Sequence, residues 1–203
     1  MEHTYWLTQS SDKPLFPDIA WSKPEQRSQA GHLGIIGGNK LGFAGVAEAY
    51  SVVLETGVGK ATVLLPDVLK KTIPTTILDT RFAPTTPSGS MAKSALSMMK
   101  ALAGESGGIL LIGDAGRNSE TAVLYEQFLS EYTGMATISR DAIDLVKNNA
   151  KLLVERPDTL LVASFAQVQK LFQATYYPKM LTFSMQLLQF VEALHKFTTT
   201  YPV

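Results

Sequence analysis

A strand, a glycine-rich loop, a helix and a second strand follow one another between residues 32 and 65 of this chain. The apolar run 33–36 predicts a short buried strand, and residues 61–65 predict the second one. Between them, residues 44–55 predict a helix whose apolar stripe is formed by Val46, Tyr50, Val53 and Leu54. Such a unit presents backbone N–H groups and a helix N-terminus to an anionic ligand, and it restricts the chain to α/β folds.

The rest of the sequence continues this alternation of strands and helices. Further strands are predicted at residues 76–78, 109–112, 135–139 and 160–163, and further helices at residues 88–103, 119–132, 141–147, 165–174 and 182–197. This rhythm predicts a three-layer α/β/α architecture with a mostly parallel central sheet and right-handed crossovers. Residues 1–30, which contain three prolines, are interpreted as an N-terminal arm, and residues 31–203 as a single domain.

Charge and composition exclude several classes of function. The 203 residues include 18 basic and 18 acidic side chains, so binding to nucleic acid through overall positive charge is not expected. There is no cysteine, which removes disulfides and thiolate chemistry. No uncharged apolar run approaches the roughly 20 residues of a membrane helix, and no secretory signal is visible, so we expect no membrane association and a cytoplasmic location.

The first glycine loop is the main candidate binding site. Its candidate residues are Gly37, Gly38, Asn39, Gly42, Phe43 and Gly45. The glycine spacing is longer than that of the dinucleotide fingerprint, although Asp67 follows the next strand where a ribose-binding acid would stand. A Rossmann-type dehydrogenase therefore remains an alternative, and so does a tight turn without a ligand. By contrast, Gly57 and Gly59 lie between a helix and a strand, which excludes a Walker loop and indicates a helix C-cap.

A second set of candidate residues follows later strands. Gly113 and Gly116 come after a buried strand and before a helix, where open α/β sheets bind ligands. Asp114 between them would repel a phosphate, so a structural turn is an equal alternative. Asp141 and Asp144 are candidates for holding ligand hydroxyls, and helix capping explains them equally well. No catalytic residue can be named, and the three histidines lack metal-ligand spacing.

The order of these motifs resembles the ADP/ATP-dependent NAD(P)H-hydrate dehydratases (YjeF C-terminal domain-like) of the ribokinase-like superfamily. Residues 37–39 stand at that family's Gly-Gly-Ser motif and residues 43–46 at its Tyr-Thr-Gly-Ala motif. Further on, residues 112–117 resemble the Ile-Gly-Pro-Gly-Leu-Gly loop, and residues 137–144 resemble the strand that ends in Asp-Ala-Asp-Ala-Leu-Asn. Ser139 replaces the first aspartate of that strand, and residues 164–167 depart from the family's His-Pro-Gly-Glu motif.

The resemblance implies a ribokinase-like fold, shortened at its C-terminal side, and a small-molecule dinucleotide as ligand. Members of the family use ATP or ADP, with Mg²⁺ as the accompanying ion, to phosphorylate the ring hydroxyl of hydrated NADH or NADPH, which then leaves. The Gly-Thr-Gly-Asp segment that supplies the family's anion hole and acid–base aspartate has no counterpart here. We therefore expect a dehydratase-like protein with weakened or lost catalysis. The alternative is a non-catalytic nucleotide-binding or scaffolding relative.

The aromatic and methionine content of residues 180–197 exceeds the need of one helix face. Burial of this segment against a second copy, giving a homo-oligomer, and burial within one chain are equally supported by the sequence.

Overall fold

The structure is a computed structural model that describes residues 4–7, 9–19 and 21–203. Its strands are β1 (His32–Gly37), β2 (Lys60–Pro66), β3 (Thr80–Ala83), β4 (Gly108–Gly113), β5 (Ala136–Ser139) and β6 (Thr159–Val162). Its helices are α1 (Ala44–Glu55), α2 (Leu96–Glu105), α3 (Ser119–Glu131), α4 (Asp141–Val146), α5 (Ala150–Val154), α6 (Phe165–Ala174) and α7 (Leu187–Thr200). None of the helices in these described ranges is both long and apolar enough to cross a membrane.

The six strands form one sheet in the order β3-β2-β1-β4-β5-β6, and every neighbouring pair is parallel. The chain builds outward from β1 in one direction, then returns to the other side of β1 with β4. The strand order therefore reverses between β1 and β4, which is the position at which open α/β sheets bind ligands at their carboxyl edge. This edge is where the predicted site residues lie.

The two faces of the sheet are covered unequally. Residues such as Ile36, Leu64 and Leu111 belong to one large apolar core that also includes buried side chains of α2 to α7. Ile35 and Val63 point to the opposite face and pack with α1 in a smaller core. Helices on both sides of a parallel sheet make the three layers of the α/β/α architecture.

Part of the α1 side of the sheet has no helix over it. The strand register aligns Leu110 with Thr137, Thr137 with Leu160, and Ser139 with Val162 on this side. Leu160 is 59% exposed and Val162 is 57% exposed. The described chain thus ends the α1 layer before it reaches β6, the last strand of the sheet.

Three sequence-based assignments of elements are wrong in their position, and one helix was not predicted. Residues 76–78 lie at the end of a turn and form no strand, because the N–H of Ile77 bonds to the carbonyl of Pro74. The strand in this region is β3. α2 begins at Leu96 and not near residue 88, because the N–H of Ser90 is held by the hydroxyl of Thr86 in a turn. α7 begins at Leu187 and not at residue 182, and α5 was not predicted at all.

The segment before β1 contacts the domain at both of its ends. The ring of Tyr5 stacks on His195 of α7, with 3.9 Å between the ring centroids. Near the other end, the N–H of Gly59 bonds to the carbonyl of Ala30 at 3.2 Å. Between these points the segment forms two short 3-10 turns, Pro17–Ile19 and Arg27–Gln29, and Trp21 is 90% exposed.

Candidate functional site

Three loops meet at the carboxyl edge of the sheet, and they follow β1, β4 and β5. All ten candidate residues are the last residue of one of these strands, or lie in the loops or in the first turn of the helices that follow them: Gly37, Gly38, Asn39, Gly42, Phe43, Gly45, Gly113, Gly116, Asp141 and Asp144. The topology explains this convergence, because parallel strands end at the same edge of the sheet.

The loops after β1 and β4 touch through their backbones. The N–H of Gly38, whose φ is +81°, donates to the carbonyl of Gly113 at 2.9 Å. A Cβ atom on Gly37 would collide with that same carbonyl, so the close approach requires glycine. Glycines of this pair of loops therefore hold β1 and β4 together at their ends.

Asn39 and Gly42 close the tip of the first loop. They exchange two main-chain hydrogen bonds of 3.0 Å, and the Asn39 side chain accepts from the N–H of Leu41 at 2.7 Å. The Asn39 amide also donates to the carbonyl of Asp114 in the second loop. Phe43 precedes α1 and packs, partly buried, against the core beneath it. The loop is thus a rigid turn, and its described hydrogen bonds run to the chain itself.

The carboxylate of Asp114 occupies the N-terminus of α1. Its Oδ2 accepts from the N–H of Gly45 at 2.6 Å, and its Oδ1 lies 2.8 Å from a guanidinium nitrogen of Arg140. Both Asp114 and Arg140 have positive φ, at +53° and +56°, which is uncommon for residues other than glycine. A helix N-terminus attracts anions. Here the chain supplies its own anion where a ligand phosphate would bind.

Asp141, the first residue of α4, carries the least satisfied polar group of the site. Its Oδ2 accepts from the N–H of Gly116 at 3.2 Å, whereas its Oδ1 is buried and has no partner. A Cβ on Gly113 would collide with this oxygen, so glycine keeps the space open. The buried hydroxyl of Tyr125 also lacks a partner, and burial together with the charge of Asp141 raises the pKa of Tyr125.

Asp144 lies one turn further along α4 and is paired. It accepts from the side-chain amide of Gln167 at 3.0 Å and lies 3.1 Å from the ammonium of Lys170. Partial burial would raise the pKa of Asp144, but these two partners on α6 outweigh it and lower the pKa. Asp144 is therefore held as a carboxylate by α6.

A cleft of about 420 Å³ lies beside these groups. Its charged lining consists of Arg117, Asp141, Asp144, Lys147 and Lys170. Its size falls in the range of small-molecule sites, and both signs of charge occur in it.

A second cleft of similar volume lies near the turn before β5 and is lined by Tyr132 and Arg156. Arg156 is 7% exposed, and its guanidinium donates to the carbonyls of Tyr132, Gly134 and Pro157 and to the hydroxyl of Thr159. These bonds tie the α3–β5 loop to the start of β6. Since its donors are committed to the protein, this arginine is a structural group.

Asp67 and the histidines stand apart from the cleft. Asp67 follows β2, and its carboxylate accepts from the hydroxyl of Thr85 at 2.6 Å. Within the described ranges, no three histidine, aspartate or glutamate side chains come together as a metal-binding group.

Sequence reasoning did not find the roles of Arg140 and Gln167. Gln167 donates to the carbonyl of Arg140 as well as to Asp144, and so joins α6 to the loop after β5. The only sequence feature that pointed to a role for Arg140 was its position directly after a predicted strand. For Asp114 the sequence did contain an indication, because a carboxylate between two glycines is unexpected in a loop that binds phosphate.

Comparison with known proteins finds similarity in fold and none in sequence. No protein-family model matches the chain, and no curated protein does. Among solved structures, the chain is similar to a ribokinase-like superfamily protein from Enterococcus faecalis V583, with a TM-score of 0.65 and 13% sequence identity. The match covers 86% of this chain and 58% of that protein, so the chain spans somewhat more than half of its length. The fold is therefore ribokinase-like, and at this identity the likeness carries no activity.

Proposed function

We propose that this ribokinase-like chain is an NAD(P)H-hydrate dehydratase-like protein that binds a dinucleotide across the carboxyl edge of its sheet, with weak or lost catalysis. The resemblance of the loops after β1, β4 and β5 to that family supports the choice of ligand. The position of these loops supports the choice of site, because open α/β sheets bind ligands where the strand order reverses. ATP or ADP would be the phosphate donor.

The observation that carries the proposal is the free oxygen of Asp141. A buried carboxylate oxygen without a donor is costly, so such groups are usually satisfied by water or by a ligand. This oxygen lies between the loops after β4 and β5, in a residue that lines the cleft. Rotation of the Asp141 carboxylate would present it to a ribose or ring hydroxyl of the ligand, which would then donate to it.

The weakness of catalysis follows from the charges around the site. Phosphoryl transfer needs cationic or N–H-rich groups around the moving phosphate and a base for the attacking hydroxyl. Two cations of this edge already face carboxylates: Arg140 is paired with Asp114, and Lys170 with Asp144. We therefore expect measurable binding of the ligand and slow or undetectable turnover.

Calorimetric titration of the chain with NADH, hydrated NADH, ADP and ATP tests the proposal. We expect binding of at least one dinucleotide, and Asp141→Asn should weaken it by about tenfold or more. The amide has a single oxygen, which the N–H of Gly116 occupies, so the ligand hydroxyl loses its charged acceptor. Asp67→Asn is the matched control, since this carboxylate follows β2, outside the cleft, and already accepts from the hydroxyl of Thr85. A ligand that binds wild type and Asp141→Asn equally would refute the proposed site. If Asp67→Asn alone lost affinity, the Rossmann alternative would replace it.

The second candidate is a relative that binds nucleotide without any chemistry, and the Asp114–Arg140 pair favours it. That pair covers the N–H of Gly45, the donor that a phosphate would otherwise use. Incubation of hydrated NADH with ATP or ADP at high protein concentration separates the two candidates. Formation of NADH supports the dehydratase-like reading, whereas binding without any product supports the non-catalytic one.

A further inference from the structure

Arg117 and Lys147 line the cleft beside Lys170 but differ from it in their partners. Lys170 lies 3.1 Å from the carboxylate of Asp144. Within the described part of the chain, the side chains of Arg117 and Lys147 form neither a hydrogen bond nor an ion pair, although Lys147 contributes at longer range to the lowered pKa of Asp144. The cleft therefore holds positive charge that a ligand can use.

The backbone on both sides of Arg117 is fixed by hydrogen bonds. Before it, the N–H of Gly116 donates to Oδ2 of Asp141 at 3.2 Å, and a φ of +79° at Gly116 makes the turn. After it, the side-chain amide of Asn118 donates to the hydroxyl of Ser88 at 2.7 Å. The exposed side chain of Arg117 thus starts from a defined position at the edge of the cleft.

The start of α3 adds main-chain donors to the same cleft. The N-cap Asn118 accepts from the N–H groups of Glu120 and Thr121 at 2.9 and 3.1 Å. Ser119, the first residue of the helix, lines the cleft, and its N–H has no partner within the described ranges. The N-terminus of α1 differs, because the carboxylate of Asp114 already covers it and keeps it closed to a phosphate in the wild-type chain.

We propose that Arg117 and Lys147, beside the start of α3, form a subsite for the diphosphate group of the nucleotide ligand, an inference that rests on the proposed function. A diphosphate bridge carries one negative charge on each phosphate, which these two cations match. The carboxylates nearby oppose a bare anion but suit a nucleotide, because Asp141, rotated toward the cleft, accepts from a ribose hydroxyl. A cleft of about 420 Å³ has room for both groups.

Calorimetric titration of the full chain with NADH and with ADP tests this subsite. Arg117→Gln and Lys147→Gln should each weaken binding about tenfold, because each removes a hydrogen bond between two charged groups. The nucleotide that loses affinity is the one whose diphosphate occupies the cleft. Lys151→Gln, which changes an exposed lysine outside this cleft, is the control and should bind as wild type does. Unchanged affinity for both nucleotides in a chain with both substitutions would overturn the subsite.

A titration with inorganic pyrophosphate separates failure of the subsite from failure of the proposed function, because it needs no nucleotide. The readout is the backbone amide NMR signals of residues 117–119 and 147. We expect these signals to shift in wild type, less so as salt is added, and to stay unchanged in the double variant. If no nucleotide binds but pyrophosphate shifts the signals, the proposed function fails and the anion subsite stands. If NADH binds while pyrophosphate shifts none of them, the subsite is refuted and the proposed function remains.

Discussion

At the scale of single residues, Asp114 decides how well an anion can enter the site. Its carboxylate, with 18% of the side chain exposed, lies on the N-terminus of α1 and on Arg140. A ligand phosphate at this position would meet a like charge and would have to displace it. The side chain therefore acts against the ligand class that the surrounding loops otherwise favour.

We predict that Asp114→Asn raises the affinity for ADP by about tenfold, because one negative charge leaves the helix N-terminus while the amide oxygen can still accept from Gly45. The measurement is calorimetric titration at low ionic strength. Asp144→Asn is the control. It also removes a paired carboxylate from this edge, but Asp144 does not lie on the N-terminus of α1, so a much smaller gain is expected. Equal affinity of Asp114→Asn and wild type for ADP would mean that no phosphate binds at α1.

At the scale of elements, α7 is held to α6 by aromatic side chains. Phe172 of α6 is 2% exposed and stacks on Phe197 of α7, with 4.3 Å between ring centroids. Tyr177 meets both rings edge-on. The C-terminal half of α7 thus packs on α6 within the chain. At its other end, Phe183 and Leu187 remain 83% and 67% exposed.

Phe172→Ala is predicted to lower the free energy of unfolding by about 3–5 kcal/mol, because it leaves a cavity under α7. Denaturant unfolding monitored by circular dichroism measures this change. Phe183→Ala, which removes an exposed ring, should cost less than about 1 kcal/mol. If the two variants were equally stable, α7 would not depend on this aromatic contact.

The elements also show what sequence patterns can and cannot provide. The bounds of α1 and α6 are predicted to the residue, because each has a clear apolar period and a turn signal at its ends. The short α5 has too few residues to show a period. β3 follows a proline- and threonine-rich turn, and the apolar, buried Ile77 in this turn led to the prediction of a strand there. Pairing between loops far apart in sequence, as between Gly45 and Asp114, leaves no local pattern at all.

At the scale of the whole molecule, the uneven covering of the sheet is the main feature. Leu160 and Val162 present apolar surface on the last strand, beyond the reach of α1. The sequence predicted parallel strands with right-handed crossovers, but it did not predict the order of the strands. It also did not indicate that part of one face of the sheet would have no helix over it. Exposed apolar patches of this kind mark surfaces that associate.

We predict that Leu160→Thr with Val162→Thr reduces binding of a hydrophobic dye and any self-association seen by light scattering, with little change in stability. Threonine keeps the preference for strands while removing apolar area. Leu161→Thr is the control, since Leu161 faces the covered side and packs on the core, so this change should destabilise the fold. Unchanged dye binding and unchanged mass in the double variant would show that this face is not an associating surface.

The position of β1 in the sheet also has a consequence for how fast the chain can fold. Leu33 pairs with Ala61 on one side but with Gly108, about 75 positions later, on the other. Contacts so distant in sequence form slowly, because a long loop must close before they stabilise anything. During synthesis, the β1–α1–β2 unit would be complete before β4, the neighbour on the other side of β1, has been made. We therefore expect the joining of β4 to β1 to limit the rate of folding.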